Sequence, residues 1–368
     1  MRILITRREH LDVPDGINIF IFSLADSFTR LGHEVILLST YESDQEKIKK
    51  YYGGFMFKKI YGLIRHTPNS SLYSLAKVFI AWMTKGRELI RNLKPDFCIF
   101  NGVVPFMPRG IPVVFVSHDL EPRFISHRLR NFVKRISYNS AVCVVATTSE
   151  LKEELVSSQL VSYEKITIIP TCIKLSLYQC QPVRYRRRAI LHIGTAFYKN
   201  PEASIRSFEK LGSQDVELLI TGEPSAELQA YIARIQEPTL REKIRLLGRV
   251  SDMDLKRLLG EVRVVSVPSI YKTPVASPTV LESFAAGTPV VTTNSITRDI
   301  AVNGFNCLVC KIDTEEFAEA LKRLLYDDIL WERLSENARL SVKEFDADKV
   351  AERYLELYET HVRGVRHR

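Results

Sequence analysis

The sequence predicts an α/β protein of two consecutive domains, each a parallel β-sheet covered by helices. Three observations carry this expectation. The chain has 368 residues, more than one hydrophobic core ordinarily supports. Short β-branched apolar runs alternate with amphipathic helical patterns along its length, which is how βα units with doubly buried strands read. Residues 264–293, VVSVPSIYKTPVASPTVLESFAAGTPVVTT, read as a buried strand, a proline-punctuated loop, a short helix beginning near Thr279 and a second strand. Open α/β sheets place ligands at such a strand's carboxyl end.

The elements follow in order. In the first half, strands are predicted at 2–6, 34–39, 97–100, 113–117, 142–147 and 165–169. Helices are predicted at 18–31, where Gly32 closes the pattern, and at 72–93 and 123–139. Residues 172–188, CIKLSLYQCQPVRYRRR, show little periodicity and many basic side chains, so a linker is placed at 173–188 between a first domain, 1–172, and a second, 189–345. The second half predicts strands at 190–194, 216–221, 244–247 and 264–267, alternating with helices at 201–211, 225–235 and 251–259. Helices at 314–326, 329–342 and 347–360 close the chain, the last with Val350, Tyr354, Leu357 and Tyr358 on one face. The order implies two Rossmann-like sheets of similar size.

Composition bounds the class. With 45% hydrophobic and 26% charged residues, the chain reads as an ordinary globular protein. No stretch approaches the roughly 18 apolar residues of a spanning helix, and MRILITRREH lacks the apolar core of a signal peptide, so a cytoplasmic protein is expected. Residues 1–170 carry 23 Lys and Arg against 16 Asp and Glu, whereas residues 171–368 carry 29 against 27; most of the net charge of +9 therefore sits in the first half. Two segments concentrate it, 47–66 and 123–136. The second interleaves Phe124, Ile125, Leu129, Phe132, Val133 and Ile136 with five basic residues. It reads either as a surface helix burying its stripe or as a helix lying on an anionic membrane surface. No nucleic-acid recognition motif accompanies the charge, so nucleic acid is not an expected partner. The six cysteines form no framework by spacing. Cys307 and Cys310 lack the further ligands of a zinc site, and disulfides Cys172–Cys180 or Cys307–Cys310 stay open.

Several motifs, in order, resemble the retaining GT-B glycosyltransferases of family 4: DGINIFIFSLADSFTRLGHEVILLS near the start, IPVVFVSHDL at 111–120, TTSELKEEL at 147–155, KITIIP at 165–170, LHIGTAFYKNPEASIRSFEKL at 191–211, LLGRVSDMDLKRLL at 246–259 and VLESFAAGTPVVTT at 280–293. The resemblance implies two Rossmann-like domains facing each other across a cleft, the first binding the acceptor, the second the nucleotide sugar, and a C-terminal helix with a basic tail, 346–368, returning to the first. It implies catalytic roles for His118, near the transferring sugar, and for Lys199, on the donor diphosphate. It places Glu282 on the ribose hydroxyls, and Asp15, Gly16, Gly194, Thr195, Arg249, Pro278, Thr279 and Val280 around the donor. It implies no metal and no cofactor beyond the donor substrate, a nucleoside-diphosphate sugar, with a glycan, glycolipid or other lipid-linked acceptor at a membrane surface as the further partner.

The residues themselves agree with several of these roles. A lysine after a strand and a short loop can reach a diphosphate as a point cation. A carboxylate suits ribose hydroxyls, although a first-turn Glu282 would also stabilise its helix by the dipole. The loop at Asp15–Gly16 reads equally as a tight turn. Three departures stand out: Pro274 occupies the position of an acid that positions the donor sugar in the family, Thr195 replaces an arginine, and IPTCIK at 169–174 replaces the usual Pro-Asn-Gly-Val-Asp. They motivate an alternative, a catalytically impaired GT-B protein that keeps nucleotide-sugar binding or a scaffold role.

Overall fold

A computed structural model describes residues 1–65, 72–102, 104, 106–118, 127–272, 275–312 and 314–360, with the backbone alone at 72–76, 127–133 and 314. The chain divides into two units, Met1–Ile173 with Phe345–Arg368, and Lys174–Glu344.

In the first unit β1 (Arg2–Arg7), α1 (Gly16–Arg30), β2 (Glu34–Tyr41), α2 (Gln45–Tyr52), β3 (Lys59–Ile64), α3 (Leu72–Ala81), α4 (Arg87–Leu93), β4 (Phe97–Asn101), β5 (Val113–Ser117), α5 (His127–Ser140), β6 (Cys143–Ala146), α6 (Ser149–Ser157) and β7 (Ile166–Ile168) follow one another. The strands form one parallel sheet in the order β3-β2-β1-β4-β5-β6-β7. Strand order reverses direction between β1 and β4, the place where α/β sheets open a crevice. Ile3, Leu4, Ile5, Cys98, Ile99 and Phe100 are buried through the middle of this sheet. Asp15 caps α1 by accepting from Asn18 N–H at 2.8 Å, and Gly32, at φ +83°, supplies the left-handed residue just past the helix.

The second unit runs β8 (Arg187–Ile193), α7 (Pro201–Leu211), β9 (Glu217–Thr221), α8 (Ala226–Ala233), α9 (Pro238–Glu242), β10 (Ile244–Gly248), α10 (Asp252–Glu261), β11 (Val262–Val267), α11 (Pro278–Ala285), β12 (Val290–Thr293), β13 (Cys307–Cys310), α12 (Thr314–Tyr326) and α13 (Asp328–Ser341). Its parallel sheet has the order β10-β9-β8-β11-β12-β13, reversing between β8 and β11. Ile190, Phe208, Leu218, Ile220, Val264 and Leu321 are buried in one cluster between sheet and helices. α7 begins where its composition dictates, with Asn200 as cap and Pro201 at the first helical position. The chain then returns to the first unit. Ala347 N–H donates to Ile173 O at 3.0 Å, and α14 (Ala347–Tyr358) packs on α1, burying Val350, Tyr354 and Leu357.

The structure corrects two readings, the helix at 72–93 and the stripe at 123–136, and fills in two that stood open. The basic segment 47–65 holds most of α2 and the edge strand β3, where Lys58 just before the strand and Lys59 at its start blunt an open sheet edge. The predicted helix 72–93 is interrupted by a π-helical turn, Trp82–Gly86. The CLVC run is the edge strand β13, and all six cysteines are free thiols. The stripe predicted for 123–136 is not kept at its end, because Lys134 is buried while Ile136 is 52% exposed; residues 123–126 lie outside the described residues. Among the described residues no helix is long and apolar enough to cross a membrane.

Candidate functional site

The second unit assembles its site at the carboxyl ends of β8 and β11. Gly194, at φ +89°, turns the chain sharply at the end of β8, and Lys199 follows in a single 3₁₀ turn, Phe197–Lys199. Lys199 Nζ comes to 3.3 Å from Thr279 Oγ1 on α11. Burial lowers its pKa while the charge of Glu282 opposes that shift. Ile270 N–H donates to Tyr198 O at 3.0 Å, tying the loops after β8 and β11 together. Beneath them, His192 bridges Ser204 Oγ at 2.8 Å and Gly194 O at 2.9 Å, and Ser204 Oγ lies 2.6 Å from Ser266 Oγ. β8, α7 and β11 are thus joined under the site by a buried polar chain.

Glu282 is 3% exposed and accepts a hydrogen bond from Tyr178 Oη at 2.9 Å through Oε1. Burial pushes its carboxyl up to about 7, against the favourable charge of Lys256. The sequence placed Glu282 in the first helical turn, but α11 starts at Pro278, so Glu282 is its fifth residue and no acid lies in the first turn. Dipole stabilisation, confined to the first turn, does not account for it. The helix start is also poorer in amides than expected: Pro278 has no N–H, and that of Val280 is given to Ser277 O at 3.1 Å. Pro274 lies outside the described residues.

Two predicted residues sit at the margin. Thr195 Oγ1 donates to Glu223 O. Arg249, after β10, is exposed and 4.0 Å from Glu223; the structure does not bring it to Lys199 or Glu282. Sequence reasoning missed Tyr178, Lys256 and Asp252. Lys256 is 6% exposed and pairs with Asp252, its Nζ lying 5.3 Å from the Tyr178 ring centroid. A signal existed: Lys256 stands three residues before Leu259 on the apolar face of α10, where a lysine needs a buried partner.

The first unit has a cavity at its own reversal point, lined by Arg7, Ile17, Asn101, Ser117, His118 and Tyr138. His118 Nε2 lies 2.8 Å from Asn101 Oδ1, and Phe20 meets the imidazole edge-on at 5.4 Å. Burial, then the charge of Arg7, lowers the imidazole pKa to about 3, so the ring is neutral at physiological pH. Asp15 is not open to an incoming anion: besides Asn18 N–H it holds Arg7 at 2.9 Å, and a carboxylate already stands at the α1 N-terminus where a phosphate at Gly16 was expected. Arg7 Nε and Asn101 Nδ2 are buried without a hydrogen bond among the described residues.

Comparison with known proteins agrees with this architecture. Two doubly wound units, each with polar groups gathered at its reversal point, define the class of GT-B glycosyltransferases. Residues 14–177 match the model of Glycosyltransferase Family 4 and residues 182–341 that of Glycosyl transferases group 1, and the chain belongs to this GT-B family of the family 4 type. A phosphatidyl-myo-inositol mannosyltransferase of Mycobacterium leprae is 32% identical over 148 residues, 40% of this chain and 38% of the relative, so the match spans well under two thirds of that relative's length. A Campylobacter jejuni 4-alpha-N-acetylgalactosaminyltransferase, named for its N-acetylgalactosamine-N,N'-diacetylbacillosaminyl-diphospho-undecaprenol acceptor, is 26% identical over 77% of this chain and 81% of its own. Among solved structures, Anabaena HepE in complex with UDP and glucose superposes with a TM-score of 0.74 over 98% of this chain and 100% of its own at 16% identity. The sucrose-phosphate synthase of Thermosynechococcus elongatus gives 0.75 over 98% of both chains, also at 16%.

Proposed function

We propose that the chain transfers a sugar, with retention and without a metal, from a nucleoside-diphosphate sugar held by its second unit to a hydroxyl of a glycan or lipid-linked acceptor held by its first. The observation that carries this reading is the approach of Lys199 to Thr279 beside the buried Glu282 at the strand-order reversal. In transfer the bond from the anomeric carbon to the β-phosphate oxygen breaks and a bond to the acceptor oxygen forms. The acceptor proton passes to the departing diphosphate. Negative charge grows on that diphosphate, where a half-buried ammonium acts more strongly than in water. Glu282 accepts from the ribose hydroxyls. The nucleotide is taken as uridine diphosphate, as in the HepE complexes.

The names of the two enzyme relatives point to lipid-borne acceptors, and the basic first half of this chain suits an anionic surface. A peripheral protein on the cytoplasmic face of a membrane follows. The test is transfer from a panel of nucleotide sugars to lipid-phosphate acceptors with and without EDTA, reading the product's anomeric configuration by NMR. Retained configuration in EDTA is expected; an inverted product, or a requirement for added metal, overturns that part of the reading. Nucleotide binding without turnover on any acceptor would support the impaired alternative that Pro274 motivates.

A further inference from the structure

Tyr178 and Glu282 are 104 residues apart in sequence and in direct contact. Glu282 belongs to the helix after β11. Tyr178 belongs to the irregular segment that precedes β8, immediately after the 3₁₀ turn Leu175–Leu177, and nothing in the site described so far requires it. Three features mark the contact as more than a filler of the core. The first is its one-sidedness. Tyr178 occupies Oε1, while Oε2 makes no hydrogen bond among the described residues. The second is the charge around the pair. Lys256 and Asp252, on α10, lie on one side, and Lys199, after β8, acts from another; with Tyr178 itself these are the titratable groups that face the carboxyl. The third is the cost of the arrangement. A buried carboxylate is unfavourable unless hydrogen-bonded and paired, and here its direct hydrogen bond comes from a phenol outside the family motif that holds Glu282.

We propose that Tyr178 is a positioning residue of the nucleotide site: its hydroxyl fixes Oε1 of Glu282 so that Oε2 is presented to the ribose diol, while the Lys256–Asp252 pair sets the charge around both. This rests on the reading that Glu282 receives the ribose. A phenol that donates to a carboxylate stabilises the ionised form, which is the better acceptor for two hydroxyls. The ammonium of Lys256 acts in the same direction, and Asp252 tempers it. Nucleotide affinity then depends on the protonation of Glu282, rising as pH passes through neutrality.

The experiment is calorimetric titration of the full chain with UDP and with 2′,3′-dideoxy-UDP from pH 5.5 to 8.5, for wild type, Tyr178→Phe, Lys256→Gln and Glu282→Gln. Thermal unfolding verifies that each variant is folded. Titration of the ligand's own phosphate is common to all four proteins and cancels in the comparison. Wild type should prefer UDP at least tenfold, with an affinity midpoint near pH 7. Tyr178→Phe should lose most of that preference and move the midpoint upward by roughly half a unit to one unit, the equivalent of one hydrogen bond. Lys256→Gln should move the midpoint the same way with the diol preference partly kept. Glu282→Gln should abolish the preference and the protein's pH step together. If wild type does not distinguish the two nucleotides, the ribose reading fails. If wild type distinguishes them and Tyr178→Phe keeps both preference and midpoint, the ribose reading stands and the role of Tyr178 is overturned.

Discussion

The two units share a strand order and differ in how they furnish its reversal point. In the second, each charged side chain already has a protein partner before any ligand arrives, Tyr178 on one oxygen of Glu282, Lys256 on Asp252 and Thr279 beside Lys199, with Oε2 of Glu282 left for the ligand. In the first, Asp15 at the helix start is already held by Arg7, while Arg7 Nε and Asn101 Nδ2 are buried without hydrogen bonds among the described residues. Orphaned buried donors cost roughly 1–3 kcal/mol each, and an incoming oxygen atom would recover that. One unit is organised in advance for its ligand, and the other is completed by it.

Removing Lys199 gives the sharpest test of that contrast. Lys199→Ala should lower kcat by about 10²–10³ with the fold intact, the scale of losing one preorganised charge stabiliser; a loss under threefold would move the chemistry elsewhere. A smaller effect is expected in the first unit. Arg7→Met should raise the acceptor KM about tenfold and leave UDP affinity within twofold. Equal loss on both substrates would end the division of labour between the units.

Stability offers a third comparison. Glu282 titrates near 7 in the folded chain against an ordinary value of 4.5. Its contribution is thus fully present below about 4.5 and is lost as pH rises through 7, a fall on the order of 3 kcal/mol. Glu282→Gln should flatten the pH dependence of unfolding over that window, read by urea denaturation. His118, held neutral by burial with a pKa of about 3, contributes in the opposite sense, its stability present above about 6.5 and lost as pH falls, so His118→Gln should steepen the fall with rising pH rather than flatten it. The smallest expected effect is at Arg249, exposed and weakly paired with Glu223: Arg249→Ala should change the donor KM less than threefold, and a larger change would return it to the donor site.

The alternation of buried strands with capped helices was readable because period and punctuation are local. Helices Pro201–Leu211 and Thr314–Tyr326 begin and end where Asn200, Pro201, Gly212 and the apolar stripes say they should. β3 and β13 were missed for a physical reason. Edge strands need only one apolar face, and in KKIYGLI and CLVC the lysines and cysteines carry signals that compete with strand pattern. Glu282 and Lys199 were legible through motif, whereas Tyr178 was not, because a contact across 104 residues leaves no periodic trace. Pro278 explains the misplaced first turn: its ring starts the helix one residue earlier than the apolar pattern suggests.

Arg186 has a practical consequence. Its guanidinium is buried, donates to the carbonyls of Gln181, Leu259, Val262 and Ala286 and to Thr288 Oγ1, and lies 4.8 Å from the Trp331 ring centroid. Residues ahead of β8 therefore travel with the second sheet. Anyone splicing halves of related transferases to trade donor for acceptor preference should cut before Lys174. A junction at 189, where the apolar pattern resumes, would carry Tyr178 and Arg186 away with the wrong partner, and the hybrid would arrive with three carbonyls, those of Leu259, Val262 and Ala286, and the Glu282 carboxylate missing their donors.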